Sequence, residues 1–187
     1  VITGRASVVL ASLLRRLPEP ATGRRPTSIL EPVGRMMRSP VTLLVLLFAF
    51  TEGAVLLGAL TLLPPAVEST GASAGVAGAV TAVYGVSVFA SSRIVGRLAG
   101  AWHPARLIGL GATAAVVGCG LLSVSQEPPM AVAVALLLGL AWTSMHSSLQ
   151  TWATEVLVAA RATVVSFFAG SLFVGSALAA VVVAGLA

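Results

Sequence analysis

Ten of the eleven arginines lie in alternating gaps between five long apolar runs, and this pattern constrains the fold more than any other feature. The runs cover residues 41–63, 74–92, 107–124, 130–150 and 162–187. The arginines of the alternating gaps are Arg15, Arg16, Arg24, Arg25, Arg35 and Arg38, then Arg93, Arg97 and Arg106, then Arg161. The two remaining gaps carry Glu68 and Glu127 and no basic residue. Because basic loops stay on the cytoplasmic side of a membrane, the alternation predicts five successive crossings with the two glutamates outside.

Composition supports the same fold class. The mean hydropathy is +1.02 and only 9% of residues are charged, whereas soluble domains carry about 25% charged residues. Each run has roughly the 20 residues that a helix needs to cross a bilayer core, and none shows the alternation of a transmembrane β-barrel. We therefore predict an all-α polytopic bundle of about five transmembrane helices. Arginine and glutamate are used without lysine or aspartate, which favours a bacterial origin and a multi-pass protein of the inner (plasma) membrane.

The net charge of +5 raises the question of a nucleic-acid partner. The arginines flank the apolar runs, so membrane orientation accounts for them, and the expected partner is the lipid bilayer. No nucleic acid is predicted. No lysine-containing phosphate loop and no serine in a nucleophile elbow occurs in the sequence. The single cysteine, Cys119, excludes a disulfide framework. The sequence thus predicts no catalytic residues, no metal site, no cofactor and no enzyme activity.

Two regions are predicted along the chain. Residues 1–40 form the first: the apolar stretch Ser7–Leu14 is too short to span and is interpreted as the stub of a preceding helix. A cytoplasmic linker rich in proline and arginine follows, with a short helix expected near residues 29–37. Residues 41–187 form the transmembrane bundle. Its last run is apolar to the final residue, so we expect the chain to be a fragment of a longer membrane protein.

Turn and packing signals divide the bundle further. The pair Pro64–Pro65 is expected to end or kink the first span. Gly71 and Gly75, and likewise Gly96 and Gly100, have the spacing that allows close helix packing in lipid. In a chain with 19 glycines such spacings also arise by chance.

Glu52 is the sharpest functional candidate because it lies near the centre of the first span. A carboxylate at that depth costs at least about 2.5–3.5 kcal/mol, so the side chain should face a cavity or a polar partner. Such a group suits a proton-coupling role, because burial favours its protonated form over the charged one. The alternative is a neutral, hydrogen-bonded glutamic acid that only packs the bundle.

Four further residues are candidates for a substrate path. Tyr84 lies in the middle of the second run, far from the interface where tyrosines usually anchor, and its hydroxyl requires a partner, for which Glu52 is a candidate. Trp142, His146 and Gln150 share one helical stripe of the fourth run, which should face away from lipid. His146 could change charge near neutral pH. Packing for Tyr84, and a neutral imidazole bonded to a hydroxyl for His146, are the alternatives. Glu155 and Arg161 flank a short loop and are expected to pair.

Three stretches together resemble the C-terminal half of a bacterial drug- or sugar-efflux transporter of the major facilitator superfamily. Residues 70–85 resemble the entry to its eighth helix, and residues 161–168 resemble the start of its eleventh. Residues 96–109 resemble the cytoplasmic loop signature between helices eight and nine, with Gly96, Arg97 and Arg106 at its motif positions. Gly100 stands where the family often has an acid.

The resemblance implies that the five runs are helices seven to eleven of a partial major facilitator fold. Residues 15–40 would then link two six-helix halves, and the missing N-terminal half would be a partner. It also implies alternating access around a site near the bilayer midplane. The predicted function is secondary active transport, as an antiporter that exchanges protons for a small amphipathic substrate and exports it. The alternative is a truncated membrane subunit that transports nothing and needs partner helices.

Overall fold

The computed structural model describes residues 30–185. From residue 32 onward the described residues belong to one compact unit, which contains all of the long helices. The expected stub at Ser7–Leu14 and most of the expected linker lie outside the described residues, so both stay predictions.

Six helices follow one another in the described part of the chain, and no strand interrupts them there. Helix α1 is short, Leu30–Met37, and matches the short helix expected at residues 29–37. The other five are long and apolar enough to cross a membrane. They are α2 Pro40–Glu68, α3 Ala74–Ala99, α4 Pro104–Val124, α5 Pro128–Glu155 and α6 Val158–Ala184. The predicted all-α membrane bundle with five spans is confirmed.

Helices α2 and α4 begin before their apolar runs because capping residues precede those runs. The Ser39 hydroxyl accepts from the Thr42 N–H at 3.3 Å, and Pro40 occupies the first turn of α2. The His103 Nδ1 accepts from the Ala105 N–H at 3.2 Å and caps α4. Proline in the first turn suits a helix, because its missing N–H would have no partner there.

Helix α2 differs from expectation at its other end. It continues through Pro64 and Pro65 to Glu68, so the pair does not end the span, and the alternative of a kink stays a prediction. Proline cannot donate a hydrogen bond to the preceding turn, but its fixed φ is compatible with helical geometry. The two prolines lie in the last turns of α2, where only a few helical hydrogen bonds depend on them.

Helix α5 is the central element of the bundle and packs against both α3 and α4, and its last third packs against α6. Helix α2 packs mainly against α6, and its second half also contacts α3. Two apolar clusters result. The first joins the second half of α2 with α3, α4 and the first half of α5, around Leu63, Val80 and Leu138. The second joins α1, the first half of α2, the end of α5 and α6, around Val45 and Phe168.

Glycines set the closest helix crossings. A Cβ atom on Gly53 of α2 would lie 1.8 Å from the Leu172 carbonyl oxygen of α6, and one on Gly175 would lie 2.0 Å from the Phe50 carbonyl oxygen. On α5, a Cβ on Gly139 would lie 2.5 Å from the Ser87 Cβ of α3. Backbones approach this closely in membranes because tight packing replaces the hydrophobic driving force.

The glycine pairs singled out from sequence spacing do not make such crossings. A Cβ atom on Gly96 would meet no atom within 4 Å, and the nearest atoms to Gly75 and Gly100 belong to their own helix or its cap. Gly71 lies in the turn between α2 and α3 with φ +90°, a conformation that favours glycine. Spacing alone therefore did not identify the packed glycines.

Candidate functional site

A glutamate–histidine pair lies between the two apolar clusters. Glu52 is three residues after Ala49 on α2, and His146 is three residues before Leu149 on α5. Because Ala49 and Leu149 belong to the second apolar cluster, both members of the pair lie at the edge of that cluster. The Glu52 Oε2 and the His146 Nδ1 are 3.2 Å apart. At this distance the two atoms share a hydrogen bond, in which either the imidazole N–H or the carboxyl O–H donates. The pair connects α2 to α5 across the middle of the bundle.

The two partners differ in their access to the surroundings. The Glu52 side chain is fully enclosed, whereas the His146 side chain is 19% exposed. Glu52 is the one charged residue that is buried between residues 30 and 185. Its Oε1 is the one enclosed polar side-chain atom without a hydrogen-bond partner in that part of the chain. A buried polar atom without a partner is costly, so a further hydrogen-bond donor at Oε1 would stabilise this site.

Aromatic rings surround the imidazole. The Trp142 indole stacks on it with ring centroids 4.2 Å apart and an interplanar angle of 12°. The Phe168 ring of α6 lies on another side, at 5.8 Å and tilted by 48°. His146 is thus held by one carboxyl and two aromatic rings from three helices.

Both members of the pair adjoin a π-helical turn. One wide turn, Gly53–Leu57, begins directly after Glu52, and the other, Trp142–His146, ends at the histidine. Wide turns of this kind insert an extra residue into an α-helix and often occur at functional sites. The first turn also contains Gly53, which makes the close crossing with α6. Each wide turn rotates the side chains that follow it relative to the positions they would have in a regular α-helix.

The other residues predicted from the sequence differ in how close they lie to this pair. Tyr84 is half-buried on α3, and its phenol is close enough to Glu52 for an electrostatic interaction. It makes no hydrogen bond to Glu52 among the described residues. The candidate Tyr84–Glu52 bond is therefore absent there, and the hydrogen-bond partner of Glu52 is His146. Gln150 is exposed, one turn beyond His146.

The residues of the predicted loop motif lie at the turn between α3 and α4. Gly96 and Arg97 are in the last turn of α3, and Arg106 is in the first turn of α4. All three are exposed. At the next turn on this side of the bundle, the Arg161 Nε donates to the Thr154 carbonyl oxygen at 2.7 Å. Arg161 thus binds the end of α5, and the expected pair with Glu155 does not form between these described residues.

A separate groove lies at the surface, beside the α2–α6 crossing. It has a volume of about 470 Å³ and is lined mainly by apolar atoms. The lining residues are Phe50, Ser166, Phe167, Gly170, Ser171 and Val174. Phe50 precedes Glu52 by half a turn of α2. The groove thus offers apolar walls with two hydroxyl groups beside the helix that carries the buried carboxyl.

The sequence did not indicate two contributors to the site. Phe168 stood within an apolar run where nothing distinguished it from lipid-facing aromatics, although it belongs to the stretch that resembles the eleventh helix. Gly53 could have been noticed because it directly follows the buried acid. Between residues 30 and 185 no three His, Cys, Asp or Glu side chains lie close enough together to hold a metal ion.

Comparison with known proteins decides the family. The family model of the Major Facilitator Superfamily matches residues 1–180. The chain belongs to the Major Facilitator Superfamily. No curated protein and no solved structure matches it. Major Facilitator Superfamily members are transporters and not enzymes, and they move small molecules across membranes. The chain is accordingly an integral membrane protein with the helix bundle of this superfamily.

Proposed function

We propose that this member of the superfamily is an antiporter that exports a small amphipathic molecule in exchange for protons. The carrying observation is the enclosed Glu52 carboxyl, which has one oxygen paired with His146 and the other without a partner in the described part of the chain. An intramembrane acid of this kind marks ion and proton pathways more often than simple packing. Glu52 is proposed as the group that takes up and releases the transported proton.

The physical basis is the difference between the two charge states of the pair. When the carboxyl is charged and the imidazole neutral, the site holds a buried negative charge, which favours an approaching proton or cation. When the carboxyl is neutral, that attraction is lost. A carrier that binds substrate in one state and proton in the other exchanges them across the membrane as access alternates.

The groove between α2 and α6 supports the proposal that the substrate is amphipathic. Its walls are aromatic and aliphatic, and Ser166 and Ser171 add hydroxyl groups. Ligand sites commonly combine apolar walls with a few polar groups. The substrate path is proposed to continue on the other side of Glu52, where it is lined by Tyr84, Trp142, His146 and Gln150.

The topology and motif resemblances support the remaining proposals. Consecutive antiparallel helices place the exposed arginines Arg97, Arg106 and Arg161 at one end of the bundle and Glu68 and Glu127 at the other. The arginine end is proposed to be cytoplasmic, in a bacterial plasma membrane. The five spans are proposed to be helices seven to eleven, which work against an N-terminal half of the same kind.

The proton–substrate exchange is tested by proton release on ligand binding. Ethidium, a fluorescent amphipathic cation, is added to the detergent-solubilised protein in weak buffer with a pH indicator. The wild-type protein should release protons as ethidium fluorescence reports binding. Glu52→Gln, which is always neutral at this position, should bind ethidium more weakly and without proton release, and the exposed control Glu68→Gln should behave as wild type. Ethidium binding to the wild type without proton release would contradict the proposal.

A further inference from the structure

Within the Glu52–His146 pair, the His146 side chain is the one that is partly exposed. The Glu52 side chain has no exposed surface. The imidazole has its Nδ1 on the carboxyl and retains 19% exposure. Its Nε2 makes no hydrogen bond among the described residues and is not one of the enclosed atoms there. The imidazole ring therefore has an accessible nitrogen, Nε2, at one end and contacts the buried Glu52 oxygen through its other nitrogen, Nδ1.

We infer that His146 is the proton relay through which Glu52 is loaded and emptied. This role rests on the proposed function of Glu52. In the charged state, the neutral imidazole carries its proton on Nδ1 and donates it to Oε2. A proton from solvent water binds Nε2, the Nδ1–H bond breaks, and an Oε2–H bond forms. The ring is left neutral with its proton on Nε2, and the reverse sequence empties the carboxyl without any flip of the ring.

The surroundings of the ring favour this path. Trp142 stacks in parallel on one face and Phe168 closes another side, which holds Nδ1 against Glu52. The indole face stabilises the imidazolium that exists between the two proton transfers. Trp142 is therefore a positioning residue for the relay. The tilted Phe168 ring belongs to α6, so a movement of α6 changes the access to the imidazole.

Few other ionisable groups face the relay. Glu52 on α2 is the titratable side chain that bonds to it, and Tyr84 on α3 lies within electrostatic range of Glu52. On α6 the one titratable residue is Arg161, in the first turn. On α4 they are Arg106, in the first turn, and Cys119, in the last two turns. The proton exchange at the pair is thus governed by the two partners themselves.

Proton transfer to Glu52 can be timed without a substrate. The protein is reconstituted in liposomes, and the carboxylic C=O infrared band of Glu52 is assigned by subtracting the spectrum of Glu52→Gln. After a rapid drop in pH, the growth of this band gives the loading rate. An asparagine side chain can replace the Nδ1 hydrogen bond to Glu52 but cannot relay a proton. His146→Asn should therefore load Glu52 about 100-fold more slowly, within the range of general acid–base catalysis.

A rescue experiment and a matched control separate relay from structure. His146→Ala should load slowly as well, and added imidazole should restore its rate in a saturable manner by occupying the space between Trp142 and Phe168. His103→Asn keeps a helix-capping side chain at the start of α4 and should load at the wild-type rate. A wild-type rate in His146→Asn, or a failure of imidazole to accelerate His146→Ala, overturns the relay and leaves Glu52 as the coupling group. Identical wild-type and Glu52→Gln spectra at all pH values would overturn both proposals.

Discussion

The crossing of α2 and α6 allows a quantitative prediction for Gly175→Ala. A Cβ at this position would lie 2.0 Å from the Phe50 carbonyl oxygen, whereas ordinary contact begins at 3.4 Å. The helices would have to separate locally by the difference, about 1.4 Å. The opposing atom belongs to backbone, so no side-chain rotation can relieve the clash. The same crossing includes Gly53, next to Glu52 and the first wide turn.

The expected cost follows from two opposing effects. Overpacking a well-packed contact costs about 1–3 kcal/mol. Because the opposing atom belongs to rigid backbone, we expect the clash in Gly175→Ala to cost about 3 kcal/mol. Alanine gains about 1 kcal/mol over glycine within a helix. The net loss should therefore be about 2 kcal/mol in the free energy of unfolding. It is measured by reversible unfolding of the protein in mixed micelles with increasing dodecyl sulfate, followed by circular dichroism.

The matched control is Gly170→Ala on the same helix. A Cβ at Gly170 meets nothing within 4 Å, so only the helix-propensity gain of about 1 kcal/mol applies. The two variants should thus differ by about 3 kcal/mol in opposite directions from the wild type. Equal stabilities, within about 0.5 kcal/mol, would refute the close crossing of α2 and α6.

Two further predictions concern packing and sidedness. The Ser87 hydroxyl is buried and donates to the Leu136 carbonyl oxygen at 2.6 Å, so Ser87→Ala should lose about 1 kcal/mol in the same unfolding assay. The exposed control Ser92→Ala should change little, and equal losses would contradict the interhelical bond. For sidedness, single cysteines replace Ser69 and Ala101 in a Cys119→Ala background. A membrane-impermeant maleimide should label Ser69→Cys in intact cells and Ala101→Cys only after permeabilisation; the opposite result would reverse the orientation that the arginines predict.

The number and type of the helices could be predicted because they depend on composition over long windows. Five runs of about 20 apolar residues admit few other structures in a membrane. Helix ends were less predictable, since capping by Ser39 or His103 and the continuation through Pro64 and Pro65 depend on individual residues. The resemblance to the superfamily, which rested on three weak motifs in the expected order, is confirmed by the match over residues 1–180.

The members of the site were predictable, but their pairing was not. Glu52 and His146 were each conspicuous as polar groups within apolar runs, but the one candidate partner that the sequence offered for Glu52 was Tyr84. Which faces of α2 and α5 meet depends on the glycine crossings and on the wide turns at Gly53–Leu57 and Trp142–His146. A regular 3.6-residue period cannot represent an inserted residue, so the directions of side chains beyond each wide turn cannot be extrapolated from it.

The most direct test of the proposed proton coupling uses transport driven by a pH gradient. Everted vesicles that contain the protein together with its proposed N-terminal half are energised with an acidic interior, and ethidium accumulation is followed by fluorescence. Wild type and Glu68→Gln should accumulate ethidium and release it when the gradient is collapsed, whereas Glu52→Gln should show no gradient-dependent accumulation. If Glu52→Gln accumulates ethidium as fast as the wild type under the same gradient, Glu52 is not the coupling group.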